Sequence, residues 1–472
     1  MSKTKNPLND LHYQFGQPNE DTVLKKVKAN VEFCGEKCET EGEVRLVLFP
    51  SPRINVYLEA SFSVSSQIAN WDDDNCKINV TFPEVTALNQ GFISKRHGES
   101  IPMNPPPKTA KLFIVWTPSR EPVQFLGDDS TEMSRVRFHL FNFVDFANLD
   151  ETNASHEVAS TPNGGYSAIW VLNLKDKDWI VQIKSLVSTI ETAKTIQEKG
   201  GFGLTHIGEI KQKDNAKFTG EQVSEFLSAL RLFLSFIQGN GIVLVCPIGF
   251  NSSNEVAWGR WDSPTQRRGV DIWFDRHHPG QAEKLFPCFM DTWRSNQNMK
   301  LLLHDGVDRF LWANNRFGGR NVDIGIIVAQ SALEYIAYRY IVNERKMLTS
   351  DSFNKLKPSS EKFRLLFTTT GISCCIPEEL PKLTAFAKKK NWGNDLPRVI
   401  TGIRNRLVHP DKDDDEDEEA SLINHECCDA TLWLLELIIL RLCGYNGTYS
   451  NRLKYRRVGK VENVPWRNEN EN

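Results

Sequence analysis

The stretch LPRVITGIRNRLVHP, residues 396–410, has the pattern of an amphipathic helix that ends in polar side chains. Asp395 can cap this helix, and Pro397 falls in the first turn, where its missing N–H costs little. The apolar residues recur at the helical period on one face, namely Leu396, Val399, Ile400, Ile403 and Leu407. The opposite face carries Arg398, Thr401, Asn405 and His409. The stretch therefore predicts a helix over residues 395–409 with a distinctive polar face.

Arg404 lies between these two faces, roughly 140° from His409 around the helix axis. Its side chain must reach around the helix to meet the imidazole, or meet another copy of the helix. An ordinary structural explanation is also available, because Arg and His near a helix C-terminus are favoured by the helix dipole and proline often follows helix ends. The pattern alone leaves both a structural and a chemical role open.

The region that surrounds this helix is also predicted to be helical. After about residue 285 the hydrophobic period changes from two to 3.6 residues, which marks the best candidate for a domain boundary. The further helices are predicted over residues 298–316, 322–345, 359–368, 378–390 and 420–442. The last of these is apolar nearly all round, so we expect it to be buried.

The first half of the chain has a different pattern. From about residue 40 to 275, short runs of β-branched and aromatic residues alternate with turn-rich segments, as in a sandwich or barrel of antiparallel strands. One helix interrupts them over residues 219–238, beginning at the capping box Thr219–Gln222. We therefore predict an α+β protein with a β-rich domain over residues 1–285 and an all-α bundle over residues 286–472.

The bulk composition excludes several classes of protein. The 472 residues carry a formal net charge of −3, so nucleic acid or an anionic membrane would have to be recruited by a local patch. The strongest apolar run, residues 432–443, is broken by Glu436 and Arg441, and the N-terminus has no apolar leader. We expect a cytoplasmic protein without membrane contact. The 10 cysteines lack regular spacing, which indicates reduced thiols.

Motifs for other chemistries are missing from the sequence. It contains no GxxxxGK[ST], HExxH, GxSxG or GxGxxG, so nucleotide triphosphatase, zincin, hydrolase and dinucleotide functions lack support. Cys34 and Cys38 could supply two zinc ligands, but no second close pair stands nearby, and ordinary thiols are the favoured interpretation. We therefore expect neither a metal nor another cofactor.

The string Arg404-Asn405-x-x-x-His409-Pro410 resembles the motif of the HEPN superfamily. Its ribonuclease members carry an arginine, a polar residue, a short spacer and a histidine on one helix of a small bundle. The layout of the whole chain, a β-rich half followed by a helical half, resembles the ApeA-like group of bacterial anti-phage proteins. The first resemblance rests on a motif, and the second rests on layout.

The HEPN resemblance implies a metal-independent endoribonuclease. RNA supplies its own nucleophile, the 2′-OH, so cleavage needs proton transfer and positive charge near the phosphate. His409 would be the acid or base, Arg404 would hold the phosphate, and Asn405 would orient the phosphate or the imidazole. One histidine cannot be both acid and base, and HEPN nucleases dimerise so that two motifs face each other. A homodimer is therefore expected.

The ApeA-like resemblance implies defence against phage by abortive infection. In that reading, host or phage RNA is cleaved, with tRNA among the candidates. The β-rich half would sense a trigger or restrain the nuclease. A phage-encoded trigger is then an expected partner, together with RNA.

Several further residues are candidates for support of this site. Glu334, on the predicted second helix, could pair with Arg404, although an ordinary salt bridge explains it as well. Arg398 extends the polar face. Residues 451–460 form a basic tail that could bind RNA backbone, with Arg452, Lys454, Arg456 and Arg457, and Arg406 could do the same. The tail could equally neutralise the acidic segment 411–419.

That acidic segment, DKDDDEDEE, follows the motif directly. A solvated loop is the simpler interpretation. The alternative is that it mimics RNA phosphates and shields Arg404 and Arg406 until a trigger moves it. Neutralising the acids would then change ribonuclease activity.

A second aromatic and basic stretch lies at residues 256–274. Trp258, Trp261 and Trp273 alternate there with three arginines, Arg260, Arg267 and Arg268. This composition fits a platform for single-stranded nucleic acid. A β-hairpin with tryptophans in the core explains it at least as well and is favoured.

Two other classes of function remain open. In the first, the helical half is a non-catalytic HEPN-like module for dimerisation or for binding nucleotides or RNA, with Arg404 and His409 as end-of-helix charges. In the second, the chain is a subunit controlled by a partner or antitoxin. Substitution of His409 separates the first of these from the nuclease hypothesis.

Overall fold

The fold was analysed in a computed structural model of the 472-residue chain. The structure describes residues 12–33, 35–63, 78–99, 109–143, 156–160, 166–265, 272–315, 322–409, 419–454 and 459–467.

Strands dominate the first half of the described chain, and two short strands follow the last helix. They are β1 Thr22–Phe33, β2 Glu36–Val47, β3 Arg53–Ser63, β4 Ile78–Thr81, β5 Gly91–Glu99, β6 Thr109–Pro118, β7 Val123–Leu126, β8 Glu132–Met133, β9 Arg135–Phe141, β10 His156–Ser160, β11 Tyr166–Lys175, β12 Trp179–Ser185, β13 Leu204–Gln212, β14 Phe218–Thr219, β15 Val245–Phe250, β16 Val256–Trp261, β17 Thr448–Tyr449 and β18 Glu462–Asn463.

Helices dominate the second half. The α-helices are α1 Thr189–Lys199, α2 Gly220–Gln238, α3 Gly280–Ser295, α4 Gln297–Asn314, α5 Val322–Tyr338, α6 Ser350–Lys355, α7 Ser359–Thr370, α8 Pro381–Lys389, α9 Leu396–Val408 and α10 Ala420–Leu442. A π-helical segment, Arg339–Glu344, continues α5.

Two antiparallel sheets form the β-rich part. The six-stranded sheet has the order β4-β1-β2-β3-β6-β5, and the eight-stranded sheet has the order β10-β11-β12-β13-β9-β15-β16-β7. In β9 the side chains alternate between two cores: Val136, Phe138 and Leu140 face the helices, and Phe141 faces the other sheet. Because both faces of the eight-stranded sheet are buried, it separates the six-stranded sheet from the helical layer.

The helical layer packs on the eight-stranded sheet through one continuous apolar core. This core joins residues of β9, β11 and β12 with α2, α3 and the helices that follow. Polar contacts cross the same interface: the backbone N–H of Asn173 in β11 donates to Glu283 of α3 at 3.2 Å. Arg294 of α3 pairs with Asp176 at 2.8 Å. The α-helical part therefore rests directly on the sheet.

The α+β class and its order, β-rich first and helical second, are confirmed. The capping box of α2 is also confirmed, with Thr219 and Gln222 bonding each other's backbone N–H. The helices predicted after residue 298 are all present, with ends shifted by a few residues, except that the predicted second helix continues beyond Tyr338 as the π-helical segment. The identity of the bundle as HEPN-type, and the domain boundary near residue 285, stay predictions.

The prediction that one helix interrupts the β-rich half is wrong. α1 is a second helix there, and it was missed because its sequence, TIETAKTIQEK, is polar and only Thr189 and Thr192 are buried. α3 begins at Gly280, earlier than the change of period suggested. The first strand also begins earlier than expected, at Thr22. None of the helices in the described part of the chain combines the length and apolarity that a membrane span requires.

Candidate functional site

The motif helix is built as its local sequence predicts. The side chain of Asp395 accepts a hydrogen bond from the backbone N–H of Arg398 at 3.2 Å, and so caps α9. Asp395 also pairs with Arg364 of α7 at 2.7 Å, which fixes the beginning of the helix against its neighbour. One side of α9 is fully buried, with Leu396, Val399, Ile400 and Ile403. This packing leaves Arg398, Asn405 and His409 at the surface, whereas Thr401, predicted on the same face, is buried and donates to the carbonyl of Pro397.

The three motif residues meet at the last turn of α9. The Nη1 atom of Arg404 donates to the side-chain oxygen of Asn405 at 3.3 Å. His409 follows the last helical residue, and its backbone N–H donates to the carbonyl of Asn405 at 2.8 Å. Asn405 and His409 are exposed, and Arg404 is half-buried. Within the described chain no hydrogen bond joins the imidazole to Arg404, so one copy brings Arg404 and Asn405 together but leaves His409 open.

Two residues that the sequence did not single out lie beside this turn. Nη2 of Arg406 donates to the side-chain oxygen of Asn424 in α10 at 3.2 Å. The amide of Asn424 in turn donates to Asp323, at the start of α5, at 2.9 Å. These contacts place the end of α9 and the starts of α5 and α10 at one end of the bundle. No local pattern could reveal them, because the three residues are distant in sequence.

The turn between α8 and α9 covers part of the polar face. Trp392 lies edge-on to Phe386 at 5.5 Å between ring centroids, and the guanidinium of Arg398 lies 5.9 Å from the Trp392 ring. Arg406 lies over the Phe386 ring at 5.3 Å. The ring of Trp392 also occupies the space that a side chain at Gly402 would need, so this helical glycine allows the close approach. Arg398 and Arg406 are thus held by aromatic rings.

Glu334 does not join the motif. Gln330 of α5 donates to the carbonyl of Ile400, and Asp323 lies at the end of α9 through Asn424, so α5 and α9 run antiparallel. Glu334 is one turn beyond Gln330, toward the beginning of α9, whereas Arg404 is one turn from Ile400 in the other direction. The structure therefore separates Glu334 from Arg404, and no ion pair joins them in the part of the chain that it describes.

The predicted RNA contact of the basic tail is wrong for Arg452. Its side chain is buried and pairs with the equally buried Glu436 of α10, at 2.5 and 3.0 Å. Lys454 is exposed but pairs with Glu462 at 2.5 Å and lies 3.7 Å from Glu379. The positive charges of these two residues are neutralised within the protein, because Arg452 pairs with an acidic side chain of α10 and Lys454 with one of β18. Arg456 and Arg457 lie outside the described residues.

Other candidates have structural roles or cannot be placed. Trp258, Trp261 and Trp273 are fully buried, which confirms the interpretation as core tryptophans. Arg260 stacks on Trp258 at 4.8 Å and donates to Gln124 and Ser224. Cys38 is partly exposed, and no group of potential metal ligands is found among the described residues. Cys34, Arg267, Arg268 and residues 411–418 of the acidic segment lie outside the described residues.

A strongly perturbed carboxyl group lies elsewhere, between α2 and β16. Asp262 lines a small cavity of about 150 Å³, together with Arg231 and Arg260. Burial and, to a smaller extent, the nearby Glu121 raise the pKa of Asp262 to about 7, although the two arginines oppose the shift. A larger open cavity of about 550 Å³ lies between one end of the paired strands β12 and β13 and helices α2 and α3. No residue of the motif lines either cavity.

The fold and this site define an α+β protein whose helical layer presents an arginine, an asparagine and a histidine at the end of one helix. Two family models match the chain. Residues 128–270 match the YopA central domain, and residues 296–463, which include the motif, match the YopA C-terminal domain.

A curated relative shows the same similarity over most of the chain. The SPbeta prophage-derived uncharacterized protein YopA of Bacillus subtilis (strain 168) is 27% identical over 347 residues, which are 72% of this chain and 74% of that protein. No solved structure matches the chain. These comparisons do not point to the HEPN superfamily or the ApeA-like group, so both resemblances stay predictions.

Proposed function

We propose that this protein is an endoribonuclease that cleaves RNA by attack of the 2′-OH on the adjacent phosphate, with Arg404, Asn405 and His409 as catalytic residues. The observation that carries the proposal is the arrangement at the end of α9. There a guanidinium, an amide and an exposed imidazole share the last helix turn, and the imidazole has no hydrogen bond to any of the described residues.

Each side chain of this group has a defined task. The imidazole of His409 exchanges a proton near neutral pH, so it removes the 2′-OH proton or protonates the 5′-oxygen that leaves. The guanidinium of Arg404 binds the phosphate and stabilises the charge that grows in the transition state. The Asn405 amide, already bonded to Arg404, holds that guanidinium and presents N–H donors to a second phosphate oxygen. The nucleophile belongs to RNA, so this reaction requires no metal.

A second copy of the chain would supply the missing acid or base. One copy offers a single histidine, and two motifs related by a two-fold axis provide two. The surface around the motif supports such an interface because it exposes large apolar side chains. Their exposed fractions are 73% for Trp312, 59% for Ile324, 53% for Leu422 and 37% for Val408.

These apolar side chains lie at one end of the bundle. Val408 precedes His409, Leu422 is two residues from Asn424, and Ile324 follows Asp323, which bonds Asn424. Trp312 lies near the end of α4, where the next residue approaches Gly325 of α5. Large exposed apolar side chains that lie near polar groups are a feature of protein interaction surfaces.

The test uses purified wild-type protein, His409→Ala and Arg404→Ala with total RNA and tRNA in EDTA. We expect cleavage by the wild type that leaves 2′,3′-cyclic phosphate ends, and a loss of at least about a hundredfold in each variant. His97→Ala is the matched control, because His97 is an exposed histidine on β5. Unchanged activity of His409→Ala would contradict the proposal and favour a non-catalytic binding module.

A role in defence against phage is the biological setting that we propose for this activity. The similarity to a prophage-derived protein supports a role in the competition between phages and their hosts. In that setting the β-rich half would hold the nuclease inactive until a phage-encoded trigger binds it. Expression of the wild type, but not of His409→Ala, would then stop cell growth when the trigger is present.

A further inference from the structure

A basic surface leads along α9 to the motif. Residues 388–390 at the end of α8 are three consecutive lysines, and all of them are exposed. Within the described chain no acidic side chain pairs with Lys388 or Lys390. The chain then turns through Asn391 and Gly393, both of which adopt a positive φ, and places Trp392 on the polar face of α9. The lysines therefore lie next to this face.

The face itself forms a line from this turn to the motif. Arg398, Gly402, Asn405 and His409 follow one another at spacings of four, three and four residues, which aligns them along one side of the helix. The line is about 16 Å long, from eleven residues at the helical rise. Arg398 is exposed and is held over Trp392, so its charge has a defined position at the far end.

We propose that Lys388, Lys390 and Arg398 bind the backbone of single-stranded RNA and guide it to Asn405 and His409. Exposed cations at one end of a line that ends at hydrogen-bonding groups fit a linear polyanion. The expected strand is unpaired, because a stacked duplex does not let the 2′-OH line up behind the leaving oxygen. Binding by backbone charge makes this surface tolerant of sequence. The inference rests on the proposed function, because the strand is expected to run toward Asn405 and His409 only if these residues cleave it.

The experiment measures binding separately from cleavage. A fluorescent 12-nucleotide single-stranded RNA is titrated with full-length His409→Ala by anisotropy, at salt concentrations from 50 to 200 mM. The test protein carries Lys388→Gln and Lys390→Gln in the same background. The matched control carries Lys26→Gln and Lys28→Gln, which remove the same charge from exposed positions on β1.

Each lost phosphate contact should lower the slope of log affinity against log salt by about 0.7. The Lys388 and Lys390 double variant should therefore show a slope smaller by about 1.4, and affinity about 25-fold lower at 100 mM salt. The control should keep the parent slope. Equal urea midpoints for the two double variants exclude a folding defect.

Three results would overturn this assignment. The first is that His409→Ala does not bind the RNA, and the second is that the Lys388 and Lys390 variant has the same salt slope as His409→Ala. The third is that the Lys26 and Lys28 control loses as much affinity and slope as the test protein. Loss of binding to phosphatidylserine vesicles with RNA binding unchanged would assign the surface to a membrane instead. If the wild type cleaves no RNA but the slope changes as stated, the binding surface stands and the nuclease proposal fails. If the wild type cleaves RNA but the Lys388 and Lys390 variant keeps the parent slope, the nuclease proposal stands and the binding surface is refuted.

Discussion

Replacement of Arg452 by methionine removes one half of the buried ion pair with Glu436. The carboxylate of Glu436 is completely buried and accepts hydrogen bonds from Arg452 at 2.5 and 3.0 Å and from the backbone N–H of Trp273 at 3.1 Å. Without Arg452, a buried charge keeps only the Trp273 donor among these contacts. Breaking such a pair costs about 3–5 kcal/mol.

The double variant Arg452→Met with Glu436→Leu provides the comparison. It removes both charges and leaves the N–H of Trp273 and the oxygen of Asn314 without these two partners, at a cost of about 1–3 kcal/mol for each group. The single change loses the same contact of Asn314 and in addition leaves the charge of Glu436 uncompensated. The single change should therefore be more destabilising than the double change. The difference isolates the penalty for an uncompensated charge.

Urea unfolding followed by tryptophan fluorescence measures both values. RNA binding well below the unfolding transition should stay at the wild-type level for Arg452→Met, because this guanidinium is not at the surface. A single variant within about 1 kcal/mol of the wild type would refute the reasoning on the ion pair. Reduced RNA affinity in a protein of normal stability would restore Arg452 as an RNA-binding residue.

Three further predictions concern the dimer, the cap and the perturbed carboxyl. An equal mixture of wild type and His409→Ala, after subunit exchange, should keep about one quarter of the cleavage of the same total amount of wild type, because a site that needs a histidine from each copy forms only in wild-type homodimers; about one half would indicate sites within one copy. Thr219→Ala should lower the free energy of unfolding by about 1 kcal/mol through loss of the α2 cap, and Thr219→Ser should restore it. The pKa of Asp262 is about 7 in the folded protein and about 4 in the unfolded chain. The free energy of unfolding therefore falls as the pH rises from about 4 to 7, because the unfolded chain loses this proton first. Asp262→Asn should therefore be more stable than the wild type at pH 8, by about 4 kcal/mol, and a wild type that is as stable at pH 8 as at pH 5 would contradict this.

The sequence predicts a helix correctly where its caps and its apolar period lie within the helix itself. The cap at Asp395, the proline in the first turn and the apolar period all lie within α9, and the helix forms as they predict. The same holds for the capping box of α2. α1 escaped detection because its sequence has almost no apolar stripe, so no periodic pattern could reveal it.

The environment of the motif could not be predicted because it is assembled from distant segments. Asp323, Arg406 and Asn424 come from three helices, and only the packing of these helices brings them together. The error at Arg452 has another cause, since a count of charges does not distinguish a paired cation from a free one. One signal was available: Glu436 interrupts the apolar run in the second half of α10, and a buried acid requires a partner.

The apolar core that runs from the eight-stranded sheet into the helices limits how the protein can be divided. Phe310 of α4 is fully buried and packs edge-on against Phe236 of α2, so a fragment that starts near residue 296 would leave part of its inner surface uncovered. Protein interiors are tightly packed and transmit strain. A molecule that displaces β9 or β12 must therefore also displace α2 and α3. Binding at the sheet would then affect the helices through directly packed side chains rather than through a hinge between two domains.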